Sequence, residues 1–367
     1  MLAAVYHGPE DLRVEQRATP AAGPGEVVLR VDYASICATD LRILRGVHRK
    51  FGPGTVRVPG HEVVGTIADI GAGVCRGLGV GQRVFVAPNI GCGHCRQCLR
   101  GENNLCANYE ALGITLDGAF AEFLRIPAPF LEQGNVMPFP DALDGAAVAL
   151  AEPFACVLRG QQALKVGSGD VVLILGAGPI GVMHVLAAKA AGAARILVSD
   201  LVPVRLEMAA QMGADRVVNV REESLPDVVA AETEGRGADV IVVAAGVREA
   251  MESAPALAAI NGRINFFAGL GAGDTVVRLD SNLIHYRELI VTGTTACSTD
   301  DCRQSLELVS SGKVDLGPLV SAQFGLDRIK EAFDLARSGN ALKLVLQMNA
   351  PAEAPRHCRP SSQRMGG

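Results

Sequence analysis

Apolar residues in the N-terminal part of the chain come in short runs broken by glycine and proline. Residues 25–34 read GEVVLRVDYA, 63–70 VVGTIADI and 82–88 QRVFVAP. Each run alternates or is β-branched, which predicts the strands of an irregular, mainly antiparallel β domain. From about Gly167 the period changes. Strand-like VVLILG precedes a helical stretch ending near Gly192, then come ARILVSD, helical VPVRLEMAAQMG and RVVNV. Helical DVVAAETEG, strand DVIVVAAG, helical EAMESAPALAAI and strand GRINFFAG follow. Strands alternating with helices predict a doubly wound parallel sheet. Beyond Thr294 the pattern is mixed again: a helix over 300–310, a β segment over 319–324, a helix over 326–338 and a terminal strand ALKLVLQM. This tail is expected to return to the first domain rather than extend the parallel sheet. The last residues, 350–367, are polar and Pro-rich and are expected to be disordered.

A chain of 367 residues is too long for one ordinary core, so two domains are expected. Hydrophobic residues make up 49% and charged ones 20%, as in soluble globular proteins. A net charge of −5 and the absence of Trp disfavour nucleic acid or an anionic membrane as partner. The opening MLAAVYHGPEDLRV lacks a basic stretch followed by a long apolar one, and no apolar run reaches spanning length. A cytoplasmic protein is the expectation. Ten cysteines could signal disulfides, but Cys92, Cys95, Cys98 and Cys106 crowd into 15 residues. In a reducing compartment such a cluster is more often a metal site.

Three patterns carry chemistry. Gly176-Ala177-Gly178-Pro179-Ile180-Gly181 follows an apolar strand and opens a helix. Such glycines allow the tight turn, the approach of a pyrophosphate and close helix–strand packing, with phosphate at the helix N-terminus. Alone the motif could be any Gly-rich turn. A second strand, RILVSD, ends in Asp200, 19 residues after Gly181, where a carboxylate can accept bonds from ribose hydroxyls and repel a 2′-phosphate. No Arg follows directly, and Arg205 is a surface residue or an adenine-side contact. NAD rather than NADP is expected. Next, the spacing Cys92-x2-Cys95-x2-Cys98-x7-Cys106 supplies four thiolates from one loop, suiting a closed, structural zinc site. Last, Cys37 in ICATD, His61-Glu62 in PGHEVVG and Glu152 in AEP are each weak signals, with a buried Cys, a turn and a helix-start carboxylate as rival readings.

GHEVVG, the four-cysteine loop and LILGAGPIG, in that order, resemble the zinc-containing medium-chain dehydrogenases, nearest in pattern to sorbitol, threonine and polyol dehydrogenases. The resemblance runs to about residue 349. It implies a GroES-like β-rich catalytic domain over 1–153 and 297–349, interrupted by a Rossmann domain over 154–296. It implies two zinc ions per chain, a structural one on the four cysteines and a catalytic one on Cys37, His61 and Glu152. Glu62 would ligate in some states, and Asp40 would orient His61. The implied reaction oxidises a secondary hydroxyl of a polyol, sugar alcohol or cyclitol, with hydride passing to NAD. A threonine-type hydroxy-amino acid is the alternative substrate, and a zinc-free quinone-reductase type the distant one. The resemblance makes Thr39 the group that takes the alcohol proton. Where many relatives carry a His or Tyr relay, this chain has Arg42 and Ile43, with His48 nearby as a substitute or water in its place. Phe120 resembles a substrate-lining aromatic, with core packing as rival, and Arg287-Glu288 resembles an active-site pair or a surface one. The partners implied are a small polar alcohol and further copies of the chain, as a homotetramer or dimer.

Overall fold

In the computed structural model, the described residues are 1–348 apart from 75, 76, 272 and 274, so the 350–367 tail with His357 and Cys358 lies outside them. The chain divides into two compact units. One comprises Met1–Glu152, Ser298–Ser310 and the stretch from Asp315 on; the other comprises Pro153–Cys297 and Ser311–Val314.

The first unit is built on a seven-stranded sheet. Its order runs Val320–Gly325, Lys343–Gln347, Val27–Ser35, Glu62–Ile70, Arg83–Val86 and Val136–Pro138, with Phe123–Ile126 also paired to Val27–Ser35. Only the pair Val320–Gly325 and Lys343–Gln347 is parallel. The strands form because Val, Ile and Leu recur at every second position and bury one face. That face joins Val27, Leu29, Val31, Val63, Ile67, Val84, Leu344 and Leu346 in one apolar core. Register slips between Val28 and Leu29 and between Val31 and Tyr33, the bulges that let a long strand curl. The C-terminal strand Lys343–Gln347 pairs with residues 33–35, so the last described strand lies beside the one that leads to Cys37.

The second unit is a six-stranded, all-parallel sheet. Its order is Arg216–Asn219, Arg195–Asp200, Val171–Leu175, Ala238–Val243, Ala258–Phe266 and Ile290–Gly293. This is the doubly wound order 3-2-1-4-5-6, whose direction reverses beside Val171–Leu175, the place where such sheets take ligands. All five residues of Val171–Leu175 are buried, as expected of a central parallel strand covered on both faces. One element departs from its pattern. Residues 258–260 read as the end of a helix, but the helix stops at Leu257 and the strand Ala258–Phe266 begins at once. Pro255 removes an amide donor in the last turn, and Asn261 at φ 59° makes the irregularity that carries the pairing from Ala258 to Arg263.

Candidate active site

In the first unit, strand Val27–Ser35 delivers the chain to Cys37, which stands just ahead of helix Ala38–Leu44. Strand Glu62–Ile70 starts one residue after His61. The two strands are antiparallel neighbours with Ser35 opposite Glu62, so both strand ends meet. Ligand atoms of Cys37, His61 and Glu62 fall within 4.8 Å of one another. His61, Glu62 and Asp40 are almost wholly buried. Asp40 Oδ2 accepts the Cys37 amide at 2.9 Å, and its Oδ1 faces His61 Nδ1 at 3.6 Å, just beyond hydrogen-bond length. With Nδ1 turned to Asp40, the other ring nitrogen is on offer. Burial by itself would lower the His61 pKa, but Asp40 and Cys37 outweigh it and hold the imidazole well above its usual range. The pocket favours positive charge at this position.

Glu62 is held from two sides. It accepts a bond from the Ser35 hydroxyl, and Lys343 Nζ meets its Oε2 at 2.6 Å. Lys343, buried itself, also donates to the Ile36 carbonyl at 2.9 Å. Burial works against its charge, and Glu62, Cys37 and Glu152 reverse that, so its pKa is raised. Sequence reasoning missed Lys343. The signal was a charge inside the apolar strand run of ALKLVLQM. Glu152 sits buried in the first turn of helix Ala151–Ala163, near enough for its carboxylate to favour the Lys343 charge, but it is not within the 4.8 Å group of Cys37, His61 and Glu62.

The residues fit a divalent metal. Cys37, His61 and Glu62 offer ligand atoms within 4.8 Å of one another, and Glu62 Oε1 is buried without a hydrogen-bond partner, a carboxylate oxygen left for a cation. The four-cysteine loop fits one more closely. The Sγ separations are 3.5 Å for Cys95–Cys98, 3.8 Å for Cys95–Cys106 and 4.0 Å for Cys92–Cys98. A tetrahedron with zinc–sulfur bonds of about 2.3 Å has edges of about 3.8 Å. Hydrogen bonding from the Cys98 amide pulls the Cys95 thiol down to about 6, while burial pushes Cys98 up to about 12. Four thiolates this close repel one another unless a cation sits among them. Gly91 is needed here, because a Cβ would stand 2.5 Å from Cys98 Sγ. Buried amides anchor the loop: Asn103 Nδ2 bonds the Asn89 carbonyl at 2.9 Å, Asn135 Nδ2 the same carbonyl at 2.7 Å, and Gln133 the Gly91 carbonyl at 3.0 Å. These amides carried no motif in the sequence.

In the second unit the Gly-rich turn joins strand Val171–Leu175 to helix Pro179–Ala190. Gly176 has φ 109°, open only to glycine. A Cβ on Gly181 would stand 1.8 Å from the Gly176 carbonyl oxygen, so helix and strand touch only because it has none. Around Gly178 no atom lies within 4 Å of where a Cβ would be, leaving room for a ligand's approach. Pro179 and Ile180 form the first turn of the helix. Asp200 ends the neighbouring strand and accepts from the amides of Ala177 at 2.7 Å, Leu201 at 2.7 Å and Val202 at 2.9 Å. Its carboxylate therefore braces the turn. Arg205 is in helix Pro203–Gln211, half-buried.

Other expected residues resolve differently. Phe120 is fully buried, edge-on to Phe333 at 6.1 Å, and fills the space that a Gly60 side chain would need; core packing is its role here. Arg287 donates to the carbonyls of Ala256 and Ala258, tying the helix-to-strand junction. Thr39 lies half-exposed in the first turn of Ala38–Leu44, Arg42 is exposed and Ile43 is buried. His48 is half-buried against Phe51, with Nδ1 accepting from the Lys50 amide at 3.3 Å. Burial first, then Arg42, Arg49 and His61, lower its pKa, so it is a neutral base at pH 7.

Residues 179–311 match the family described as zinc-binding dehydrogenase, and residues 23–141 match the alcohol dehydrogenase GroES-like domain. An L-threonine 3-dehydrogenase of Rhizobium johnstonii is 33% identical over 350 residues, 94% of this chain and 98% of that protein. A zinc-binding dehydrogenase from Sinorhizobium meliloti, solved bound to NADP, superposes with TM-score 0.85 at 29% identity, covering 94% of this chain and 98% of that one. The 2R,3R-butanediol dehydrogenase of Bacillus subtilis gives TM-score 0.85 at 28% identity over 95% and 99% of the two chains.

Proposed function

Because the chain belongs to the zinc-binding, GroES-like dehydrogenases of the medium-chain family, we propose that it oxidises a secondary hydroxyl of a polyol, sugar alcohol or cyclitol to the ketone, using NAD and two zinc ions. The observation that carries the reading is the Cys37–His61–Glu62 group, with His61 and Glu62 buried and Glu62 Oε1 unsatisfied, braced by Asp40 and Lys343. Cys37, His61 and Glu152 would hold the catalytic zinc, Glu62 standing by, and the four-cysteine loop would hold a structural one. Bound there, zinc would supply Lewis acidity toward the substrate oxygen, and NAD would serve as the hydride acceptor.

This chain's own residues orient and move protons. Asp40 fixes both the Cys37 backbone and the His61 ring, so the two ligands keep their aim. The Thr39 hydroxyl takes the proton of the substrate alcohol. Beyond Thr39 the proton passes to water or to His48, which is neutral and half-buried against Phe51 but would have to release the Lys50 amide from Nδ1 to accept it. Asp200 accepts the adenosine ribose hydroxyls, and a 2′-phosphate beside it would meet like charge, which favours NAD even though the Sinorhizobium relative was solved with NADP.

A threonine-type substrate is the second reading, favoured by the Rhizobium relative. NAD and NADP reduction measured across polyols, cyclitols, sugar acids and threonine decides between them. Turnover of none of these, with zinc present, would overturn the proposal. Assembly into a dimer or tetramer is supported by Ile260, Val276, Tyr286 and Ile290, large apolar residues left exposed on the second unit, Ile290 on its edge strand. A cytoplasmic compartment suits the four-cysteine loop, whose thiols must stay unpaired to hold metal. Among the described residues no helix is long and apolar enough to cross a membrane.

A further inference from the structure

Two cysteines outside every motif meet within the second unit. Cys156 lies on helix Ala151–Ala163, and Cys297 follows strand Ile290–Gly293. Their Sγ atoms lie within 4.8 Å of each other and of the Glu152 carboxylate, although the two cysteines come from opposite ends of the unit's sequence. Both stand as thiols in the structure. Buried cysteines are usually small apolar fillers, but these differ in a useful way: Cys156 is partly exposed and Cys297 is completely enclosed. The residue before Cys297, Ala296, is held at φ 52°, a left-handed conformation that a non-glycine residue avoids and that is found where backbones have a second arrangement to relax into.

We propose that Cys156 and Cys297 are a redox pair that closes to a disulfide in response to a small-molecule disulfide such as oxidised glutathione. The partly exposed Cys156 thiol, as its thiolate, attacks one sulfur of the reagent, forming a mixed disulfide and releasing one glutathione thiolate. Cys297, which the reagent cannot reach, then gives up its proton and attacks Cys156 Sγ. The protein disulfide forms, the mixed bond breaks and the second glutathione leaves. Two thiols have lost two electrons and two protons, and one glutathione disulfide has become two thiols. Sulfur atoms under 4.8 Å apart must approach to about 2.05 Å, a move within reach of side-chain rotation and a modest backbone shift at Ala296. Cys156 follows Glu152 by one turn of the same helix, so the new bond would tether the element that carries a proposed zinc ligand. The effect on turnover rests on that reading of Glu152; the bond itself does not.

The test treats the zinc-loaded protein with oxidised glutathione, blocks remaining thiols and maps disulfides by non-reducing peptide mass spectrometry. The expected result is a peptide pair joined through Cys156 and Cys297, two hydrogens lighter than the reduced pair, and dissolved by dithiothreitol. Cys297→Ala, or Cys297→Ser if alanine packs poorly, should instead accumulate a glutathione adduct on Cys156. Cys156→Ala should leave Cys297 unmodified. Turnover of the wild type should fall at least several-fold and return with dithiothreitol, while Cys156→Ala resists the loss. A stable glutathione adduct on wild-type Cys156 with no internal link would overturn the proposal, as would linkage of Cys156 to another cysteine. A formed bond with undiminished turnover would uphold the redox pair and count against Glu152 as ligand.

Discussion

Replacing Lys343 with Met tests the electrostatic design of the pocket. The side chain is close in volume, so packing changes little, while the charge opposite Glu62 and the donor to the Ile36 carbonyl both disappear. Removing one partner of a buried ion pair costs about 3–5 kcal/mol, because the remaining charge stays dry and uncompensated. For a unit of this size, about 2–4 °C per kcal/mol implies a fall of roughly 6–20 °C in its melting temperature. Lys343→Met combined with Glu62→Gln removes both charges and should regain about half the loss or more. Calorimetry of the four proteins, wild type, both single variants and the double variant, gives the coupling energy directly. If Lys343→Met melts within about 2 °C of wild type, or Glu62→Gln fails to rescue it, the pair does not carry the charge balance assigned to it.

Elemental analysis after removal of loose metal should find two zinc ions per chain; Cys37→Ser should lose one and all turnover while still binding NAD, and Cys95→Ser should lose the other and unfold more readily. Asp200→Ser should weaken NAD binding about 10- to 150-fold, the worth of a charge-assisted bond, and narrow the preference over NADP in steady-state assays; a wild type already preferring NADP contradicts the ribose role. Thr39→Ala should slow oxidation on the order of 100-fold, and His48→Ala should slow it several-fold near pH 7 with recovery on added imidazole; a silent His48→Ala hands that step to water, and an unimpaired Thr39→Ala removes the proton path altogether. His184, enclosed beside Gln161 and Phe267, has its pKa driven by burial to about 3. The unfolded chain protonates near 6.5 and the folded one does not, so the stability this group contributes is complete above that pH and declines by about 1.4 kcal/mol per unit between 6.5 and 3; His184→Leu should flatten the acid limb of the unfolding curve, and an unchanged slope would place the acid sensitivity elsewhere.

What was legible in the sequence was whatever is encoded between near neighbours. The four cysteines sit in one loop, so their spacing alone describes a tetrahedral shell. Gly181 could be read as a packing glycine because the strand and helix it joins adjoin in sequence, and the structure leaves no room there for a Cβ. The alternation of helix and strand fixed the parallel sheet, with one boundary misread at residues 258–260, where Ala and Ile suit a helix as well as a strand. What was not legible depends on partners far away. Asp200 looked like a ribose ligand and also clamps the Ala177 amide. Phe120 could line a pocket or fill a core until Phe333 and Gly60 appeared beside it. Lys343 went unread: its place in an apolar strand run marked it as unusual, but nothing near it in sequence reveals its partner, a carboxylate 281 residues upstream.

That separation has a consequence for how the protein is made. Synthesis runs from residue 1 onward, and Glu62 emerges long before Lys343. The second unit is nearly contiguous and can fold as soon as its own residues are out. The first cannot finish its sheet until the second unit has been made, because the strand Lys343–Gln347, which pairs with residues 33–35, follows that unit in the chain. Until it arrives, Ile36 and Glu62 lack their donor and a strand edge stands open, the kind of surface that recruits neighbouring chains. Nascent chains should therefore be aggregation-prone until residues 343–347 have emerged, and a pause or truncation after the second unit but ahead of residue 343 should leave that unit folded and attached to an unfinished, chaperone-dependent one.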